Sequence, residues 1–326
     1  MTSSSLVIST LCEKDRPLWK RFVYESQNGT LFHDLDFLAY HPSSRFRSVQ
    51  LLFRDKGNLC AIFPAVEVKQ GGQRKTLSSH PGASHGGLAI AKGLGAEEVY
   101  GLVSKLVNWA KEEGYGRIEM TLPPGIYAAD PNQHLDFALY LAGFRILRRQ
   151  LSGVVPLLPP YPQITNSALR MATKARRSGV EVRESRSDER DYRAFYDILV
   201  ENRAKHGAAP THTWEEMDRL RRLIPDQLVL FTAEFNGQPI AGALLFVLNE
   251  RVVLNFYLAH RWEYQEYRAT NLLFHETIQW AKAKGFRYLD MGTSMLGEEP
   301  HWSLVDFKER FGARGFLKDT FELELT

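Results

Sequence analysis

The sequence predicts a mixed α/β (α+β) protein built as two tandem domains, each a mixed, mainly antiparallel sheet flanked by helices. Three observations predict this. Residues 154–162, VVPLLPPYP, hold four prolines, which neither a helix interior nor a central strand tolerates, so a domain boundary falls there. Residues 109–115, WAKEEGY, return as WAKAKGF at 280–286, an offset of 171. Ahead of each copy lies a hairpin pattern, LLFRDKGNLCAIFP (51–64) and FTAEFNGQPIAGAL (231–244), turning at Lys56-Gly57-Asn58 and Asn236-Gly237-Gln238. The expected domains are therefore 1–155 and 156–326.

In order, the first half reads as a strand (6–11), helices (17–27, 34–40), strands (46–53, 59–68, 74–80), a helix (96–113), a strand (117–122), a helix (131–141) and a strand (144–155). The second reads as a helix (164–178), a strand (180–184), helices (188–204, 213–223), strands (228–235, 239–248, 251–258), a helix (269–284), a strand (287–291), a helix (301–311) and a strand (315–325). The long helix of each half is the best supported. Leu102, Leu106, Trp109 and Ala110 map by the offset onto Leu273, Thr277, Trp280 and Ala281, positions i, i+4, i+7 and i+8 of one face. Gly114 and Gly285 follow as C-caps, and a short strand then runs into an acid, Glu119 or Asp290. Hairpins followed by strand, helix and strand make a mixed sheet with helices on its faces. The hairpin offset is 180, so the first half carries nine extra residues, around GGQRKTLSSHPGASHGG (71–87), and the Gly71-Gly72-Gln73 stretch there reads as a hairpin turn.

Composition excludes several classes. At 44% hydrophobic, 12% aromatic and 24% charged residues, the chain is neither disordered nor a disulfide scaffold. A net charge of +3 is too small for a generic nucleic-acid binder, so no DNA partner is expected. Cys12 and Cys60 form no Cys-x-x-Cys pair, which argues against zinc ribbons and thioredoxin-type sites and fits a reducing, cytoplasmic setting. No transmembrane segment and no signal peptide are read. No G-x-S-x-G, Walker A or H-E-x-x-H motif occurs, and no metal site is expected.

Several stretches, in this order, resemble the Fem family (FemABX-like) of tandem GNAT-fold acyltransferases and aminoacyltransferases. NSALRMATKARRSGVEVRES (166–185) is similar to the family's basic helix and "GV" strand. NLLFHETIQWAKAKGFRYLDMGTS (271–294) is similar to its central helix and acidic strand, and DFKERFGAR (306–314) to its FK-x-x-FG element. SSHPGASHGGL (78–88) looks more loosely like its S-x-P…GG loop. The resemblance covers most of the chain. It implies two GNAT-like domains, with the acceptor side in the first and the donor and catalytic side in the second. It further implies amide formation between an acyl or aminoacyl donor and a primary amine, on a peptidoglycan or other glycan precursor. The alternatives are an acyl-CoA-dependent N-acetyltransferase acting on a small amine or amino sugar, and a non-catalytic binding module of the same fold.

Acyl transfer to an amine needs aligned substrates, removal of a proton and charge stabilisation of the oxyanion. Lys308 follows Leu304 by four residues and borders the expected stripe of Leu304, Phe307 and Phe311. The resemblance places this FK lysine at the catalytic cleft, where it can hold a phosphate or an oxyanion; a lysine packing its stem on phenylalanines is the plainer reading. Asp290 and Tyr257 are the other catalytic candidates, as base or orienter and as proton donor, against structural roles in the sheet. For the donor, Phe307, Arg268, Thr270 and Asn271 are candidates. CoA-dependent GNAT enzymes carry glycines in the turn before the central helix, where backbone N–H groups meet pyrophosphate. Here QEYRATN (265–271) has Arg268 and Thr270 instead. The donor is therefore either aminoacyl-tRNA or acyl-CoA, with no tightly bound cofactor. Ser79, His80, Gly82 and His85 are acceptor-binding candidates. Lys174 and Arg177, in a helix with four cations and no acid, are candidates for phosphates or a tRNA acceptor end. The acceptor is expected to be a small or lipid-linked molecule.

Overall fold

The computed structural model describes residues 5–42, 44–69, 74–161, 163–185, 188–205 and 207–325, so the Gly71-Gly72-Gln73 turn lies outside the described residues. The chain divides into two compact units, Met1–Gln150 with Leu317–Thr326, and Leu151–Phe316.

The first unit runs β1 (Val7–Thr10), α1 (Arg16–Glu25), α2 (Leu35–Leu38), β2 (Arg47–Asp55), β3 (Asn58–Val68), β4 (Thr76–Ser79), β5 (Ala89–Ile90), α3 (Ala96–Glu112), β6 (Arg117–Thr121), α4 (His134–Leu141) and the start of β7 (Arg145–Pro156). Strand order is β1-β2-β3-β4-β6, with β5 on β3 and β4–β6 a parallel pair. Alternation along the strands feeds two cores. Phe53, Phe63 and Ile118 pack with Leu102, Leu106 and Leu139 of α3 and α4. On the other face, Leu52 and Ile62 pack with Trp19, Phe22 and Leu35.

The second unit continues through the end of β7, α5 (Asn166–Arg177), β8 (Val180–Ser185), α6 (Glu189–Ala204), α7 (Trp214–Leu223), β9 (Leu228–Phe235), β10 (Gln238–Val247), β11 (Val252–His260), α8 (Ala269–Ala283), β12 (Tyr288–Thr293), a small hairpin β13 (Met295–Leu296) and β14 (Glu299–Pro300), α9 (Trp302–Arg310) and the start of β15 (Arg314–Glu324). Its order is β7-β12-β11-β10-β9-β8, with β11–β12 a parallel pair. One face carries the core of Leu245, Val253, Leu289 and Met291 with Ala172 of α5, Leu273 of α8 and Phe311. The other face meets α6, whose Phe195 lies so close to Gly242 that a Cβ there would be 2.4 Å from its ring.

Both hairpins turn on two residues, Lys56-Gly57 (φ 48° and 85°) and Asn236-Gly237 (φ 51° and 75°). Positive φ at both positions matches the strand twist. The repeated helices bury Leu102, Leu106 and Ala110, and Leu273, Thr277 and Ala281. The expected helix 34–40 is shortened to a single turn, α2. A 3-10 turn (Leu31–His33) precedes the single turn of α2, because Thr30 and Asp34 each cap their own start.

The expected division at 155/156 gives the last strand wholly to the second half. In the structure, Thr320–Glu324 of β15 pairs with β6 inside the first unit, held by Arg145–Glu322 and a two-point Arg149–Asp319 contact. Ser152–Pro156 of β7 pairs with β12 inside the second unit. Each unit thus takes part of a strand that the division at 155/156 assigns to the other half.

Candidate active site

The site of the second unit begins where two strands part. β11 pairs with β12 only at Val252–Tyr288, Val253–Leu289 and Leu254–Asp290. Beyond Leu254, β11 stays with β10 as far as His260, while β12 follows β7 to Thr293. The β10–β11 ladder also slips at Leu244/Leu245, leaving Phe256 as an extra residue, and such bulges re-aim side chains beside open sheet edges.

Lys308 enters this opening from α9. The expected apolar stripe is only half covered at Leu304 and Phe307, whereas Lys308 is the buried residue of the helix, 4% exposed. Its stem crosses Gly153 of β7, where a Cβ would lie 2.8 Å from Lys308 Cδ. The ammonium donates to the carbonyl oxygens of Gly292 (2.6 Å) and Thr293 (3.1 Å), and its third N–H has no acceptor among the described residues. Burial pushes its pKa down to about 8, and the charge of Asp290 pulls it part of the way back. A small cleft is lined by Lys308 with Leu151, Gly153, Ser294, Val305 and Ala313. Gly153 and Gly292, the latter at φ 73°, were not singled out by sequence; a glycine inside the strand pattern 144–155 and one directly after the pattern 287–291 are the signals that mark them.

Asp290 is 3% exposed, and its Oδ1 accepts from Ser152 Oγ (2.6 Å) and the Gly292 N–H (2.7 Å). The carboxylate thus fixes the bend that aims the Gly292 carbonyl at Lys308. Its repeat counterpart Glu119 is only half-buried. Tyr257 is buried on the sheet face of Leu244, with its hydroxyl bonded to the backbone N–H (3.2 Å) and ring Nδ1 (2.8 Å) of His212. Burial raises its pKa. His212, absent from the sequence reading, sits in the loop before α7, far from Tyr257 in sequence.

Phe307 packs against Phe274 and Phe311, with ring centroids 5.4 and 5.3 Å away. Arg268 caps α8 in the left-handed region, φ 57°, with an exposed side chain, so an arginine adopts a conformation that favours glycine. Thr270 and Asn271 form the first turn of α8, half-buried. On α5, Arg176 pairs with Glu276, while Arg170, Lys174 and Arg177 are exposed along a groove with Asn166 and Thr173 and pair with no acid among the described residues. The arginines of α7 are used differently, since Arg221 and Arg222 both pair with Asp218.

In the first unit, Ser79, His80, Gly82 and His85 come together after β4. Ser79 Oγ accepts from the Thr121 N–H (3.0 Å). His80 stacks on His41 at 5.4 Å, meets Phe46 edge-on, and its Nδ1 accepts from the Gly82 N–H. Gly82 lies against His41, leaving no room for a Cβ. His85 bonds Thr30 Oγ1 (3.2 Å) between Phe32 and Tyr127. Burial, then the charges of His41 and Arg45, lowers the His80 pKa to about 4; burial puts His85 well below its usual value. Among the described residues no group of three His, Cys, Asp or Glu is arranged to hold a metal ion.

Residues 165–308 match the acetyltransferase (GNAT) domain family. The parting strands, the central helix and the buried lysine lie within this matched segment, and the fold of the chain is of tandem GNAT type. Among solved structures the chain is similar to FemX (12% identity, 98% of this chain and 97% of that one, TM-score 0.73). It is also similar to the C-terminal domain of a lysylphosphatidylglycerol synthetase assigned to Agrobacterium fabrum (12%, 95% and 91%, TM-score 0.64). A third similar structure is a tandem GNAT protein from the clavulanic acid biosynthesis pathway (12%, 98% and 99%, TM-score 0.56). No curated protein matches the chain. No helix among the described residues is long and apolar enough to cross a membrane.

Proposed function

We propose that the protein joins an acyl or aminoacyl group to a primary amine, with the donor end and Lys308 in the second unit. The amine nitrogen attacks the donor carbonyl carbon, the carbonyl oxygen takes up negative charge, and the bond to the donor's oxygen or sulfur breaks as the amide forms. The amine's proton leaves by way of the departing group or solvent. The carrying observation is Lys308. A buried ammonium with one N–H that meets no acceptor among the described residues, beside an open strand end, is a pre-oriented partner for an oxyanion or a donor phosphate. Asp290 orients the backbone that holds it.

Arg268, Thr270 and Asn271 receive the donor at the α8 N-terminus, with Phe307 lining the apolar side. Lys174 and Arg177, exposed and paired with no acid among the described residues, suit a donor with many phosphates, such as the acceptor end of a tRNA. Ser79, His80, Gly82 and His85 serve the acceptor, and the sequence resemblance favours a peptidoglycan or other glycan precursor in the cytoplasm. The lysylphosphatidylglycerol synthetase relative, by its name, makes an aminoacylated lipid, which supports aminoacyl transfer and a lipid-linked acceptor as a class.

A second reading, an acyl-CoA-dependent N-acetyltransferase, is favoured by the acetyltransferase domain match. Calorimetric titration with acetyl-CoA, longer acyl-CoAs and an aminoacyl-tRNA separates the two. Tight binding of aminoacyl-tRNA alone supports the first, and micromolar binding of an acyl-CoA the second. Binding of none, by folded protein, sinks both.

A further inference from the structure

Asn255 is the first residue of β11 beyond its pairing with β12. It is 5% exposed, and neither Oδ1 nor Nδ2 has a hydrogen-bond partner among the described residues. An unpaired buried polar group is costly, so an amide with both ends unmet is expensive to keep without a ligand. Its position is specific. Asn255 pairs across the ladder with Leu245, so its side chain shares the face of α8 and Phe311. Gly153, over which Lys308 runs, leaves room for the lysine stem on β7. The Asn255 carbonyl oxygen lies 4.0 Å from where a Cβ on Gly292 would stand, and Gly292 is the residue whose carbonyl receives Lys308. The residue that carries the orphaned amide therefore lies at the strand opening, its backbone beside the segment that receives Lys308.

We propose that the Asn255 carboxamide selects the transferred acyl group by pairing with a polar α-substituent, Oδ1 accepting from an α-ammonium and Nδ2 donating to the acyl carbonyl. A plain alkanoyl group leaves Oδ1 unpaired, and sites with a buried polar group left unmet discriminate strongly. The protein is thereby tuned to aminoacyl groups. This rests on the acyl-transfer reading above.

The test compares two probes of equal skeleton, the alanyl and propionyl amides of 3′-amino-3′-deoxyadenosine, titrated calorimetrically into wild type, Asn255→Leu and Asn255→Ala. Wild type should bind the alanyl probe at least tenfold more tightly. Both variants should bring that ratio close to one, and Asn255→Leu, which removes two unmet polar atoms at similar volume, should melt at or above wild type. The proposal is overturned if the variants keep the alanyl preference, or if both melt more than about 5 °C below wild type, the sign of an amide held by structural hydrogen bonds. Either result leaves acyl transfer standing. If wild type binds neither probe, the aminoacyl reading and this proposal fall together.

Discussion

Lys308 Nζ donates to the Gly292 carbonyl oxygen at 2.6 Å, while Asp290 Oδ1 accepts the Gly292 N–H at 2.7 Å. One peptide segment is thus gripped from both ends, by a cation on its carbonyl and a carboxylate on its amide. The backbone between them links the lysine to the aspartate, and the aspartate's charge reaches it as well.

Replacing Lys308 tests the proposed function directly. Lys308→Ala should lower turnover at least tenfold, about 1.4 kcal/mol or more of transition-state stabilisation, with a native circular dichroism spectrum. Unchanged kcat would remove Lys308 from the chemistry.

The lowered Lys308 pKa has two pH signatures. A role that needs the ammonium predicts activity falling as pH rises through about 8, with Lys308→Arg flattening that fall because a guanidinium keeps its proton. The stability sign is opposite. Between pH 8 and the ordinary 10.5 the unfolded chain binds more protons, so stability rises with pH over that window. Denaturant melts of wild type and Lys308→Met across it should diverge, and parallel curves would contradict the burial argument.

Gly153→Ala probes the room Lys308 needs. The new Cβ would meet Lys308 Cδ at 2.8 Å, tight enough to push the stem aside. The expected cost is about 1–3 kcal/mol of stability, together with a loss of turnover approaching that of Lys308→Ala. A fully active variant would show that the lysine's path is not constrained.

The first unit should be acid-sensitive. His33 and His80 have pKa values lowered to about 4, chiefly by burial, against 6.5 unfolded. Their neutral forms contribute stability that is present above pH 6.5 and lost as pH falls toward 4, because the unfolded chain then binds more protons. Thermal melts from pH 7 to 4 should show a falling Tm, with a shallower fall in His80→Asn. An equal slope in that variant would remove His80 from the effect.

Arg268→Gly separates backbone from side chain at the α8 N-terminus. Glycine takes a φ of 57° without strain, so stability should change by no more than about 1 kcal/mol. If the guanidinium holds donor phosphate, the donor KM should rise about tenfold with little change in kcat; an unchanged KM would assign the turn a backbone role alone.

Local pattern carried much of the fold. The buried face of Leu102, Leu106 and Ala110 and its repeat at Leu273, Thr277 and Ala281 follow from helical spacing, and both hairpin turns follow from Lys56-Gly57 and Asn236-Gly237. Lys308 and Asp290 were legible because a motif and a repeat pointed at them. Ser152 and His212 were not, since each is paired with a residue distant in sequence, nor was Asn255, because no local pattern reveals an amide buried without a partner among the described residues.

By itself the sequence determined the repeated architecture, the hairpins, the long helices and their glycine stops, because those depend on spacing and backbone preference within a few residues. Only the tertiary structure decided that Leu317–Thr326 completes the first unit. It alone decided, too, that a lysine expected at the border of an apolar stripe is the buried residue of its helix. Strand pairing and burial are set by the partners that long-range packing brings together, and no local pattern of residues encodes them.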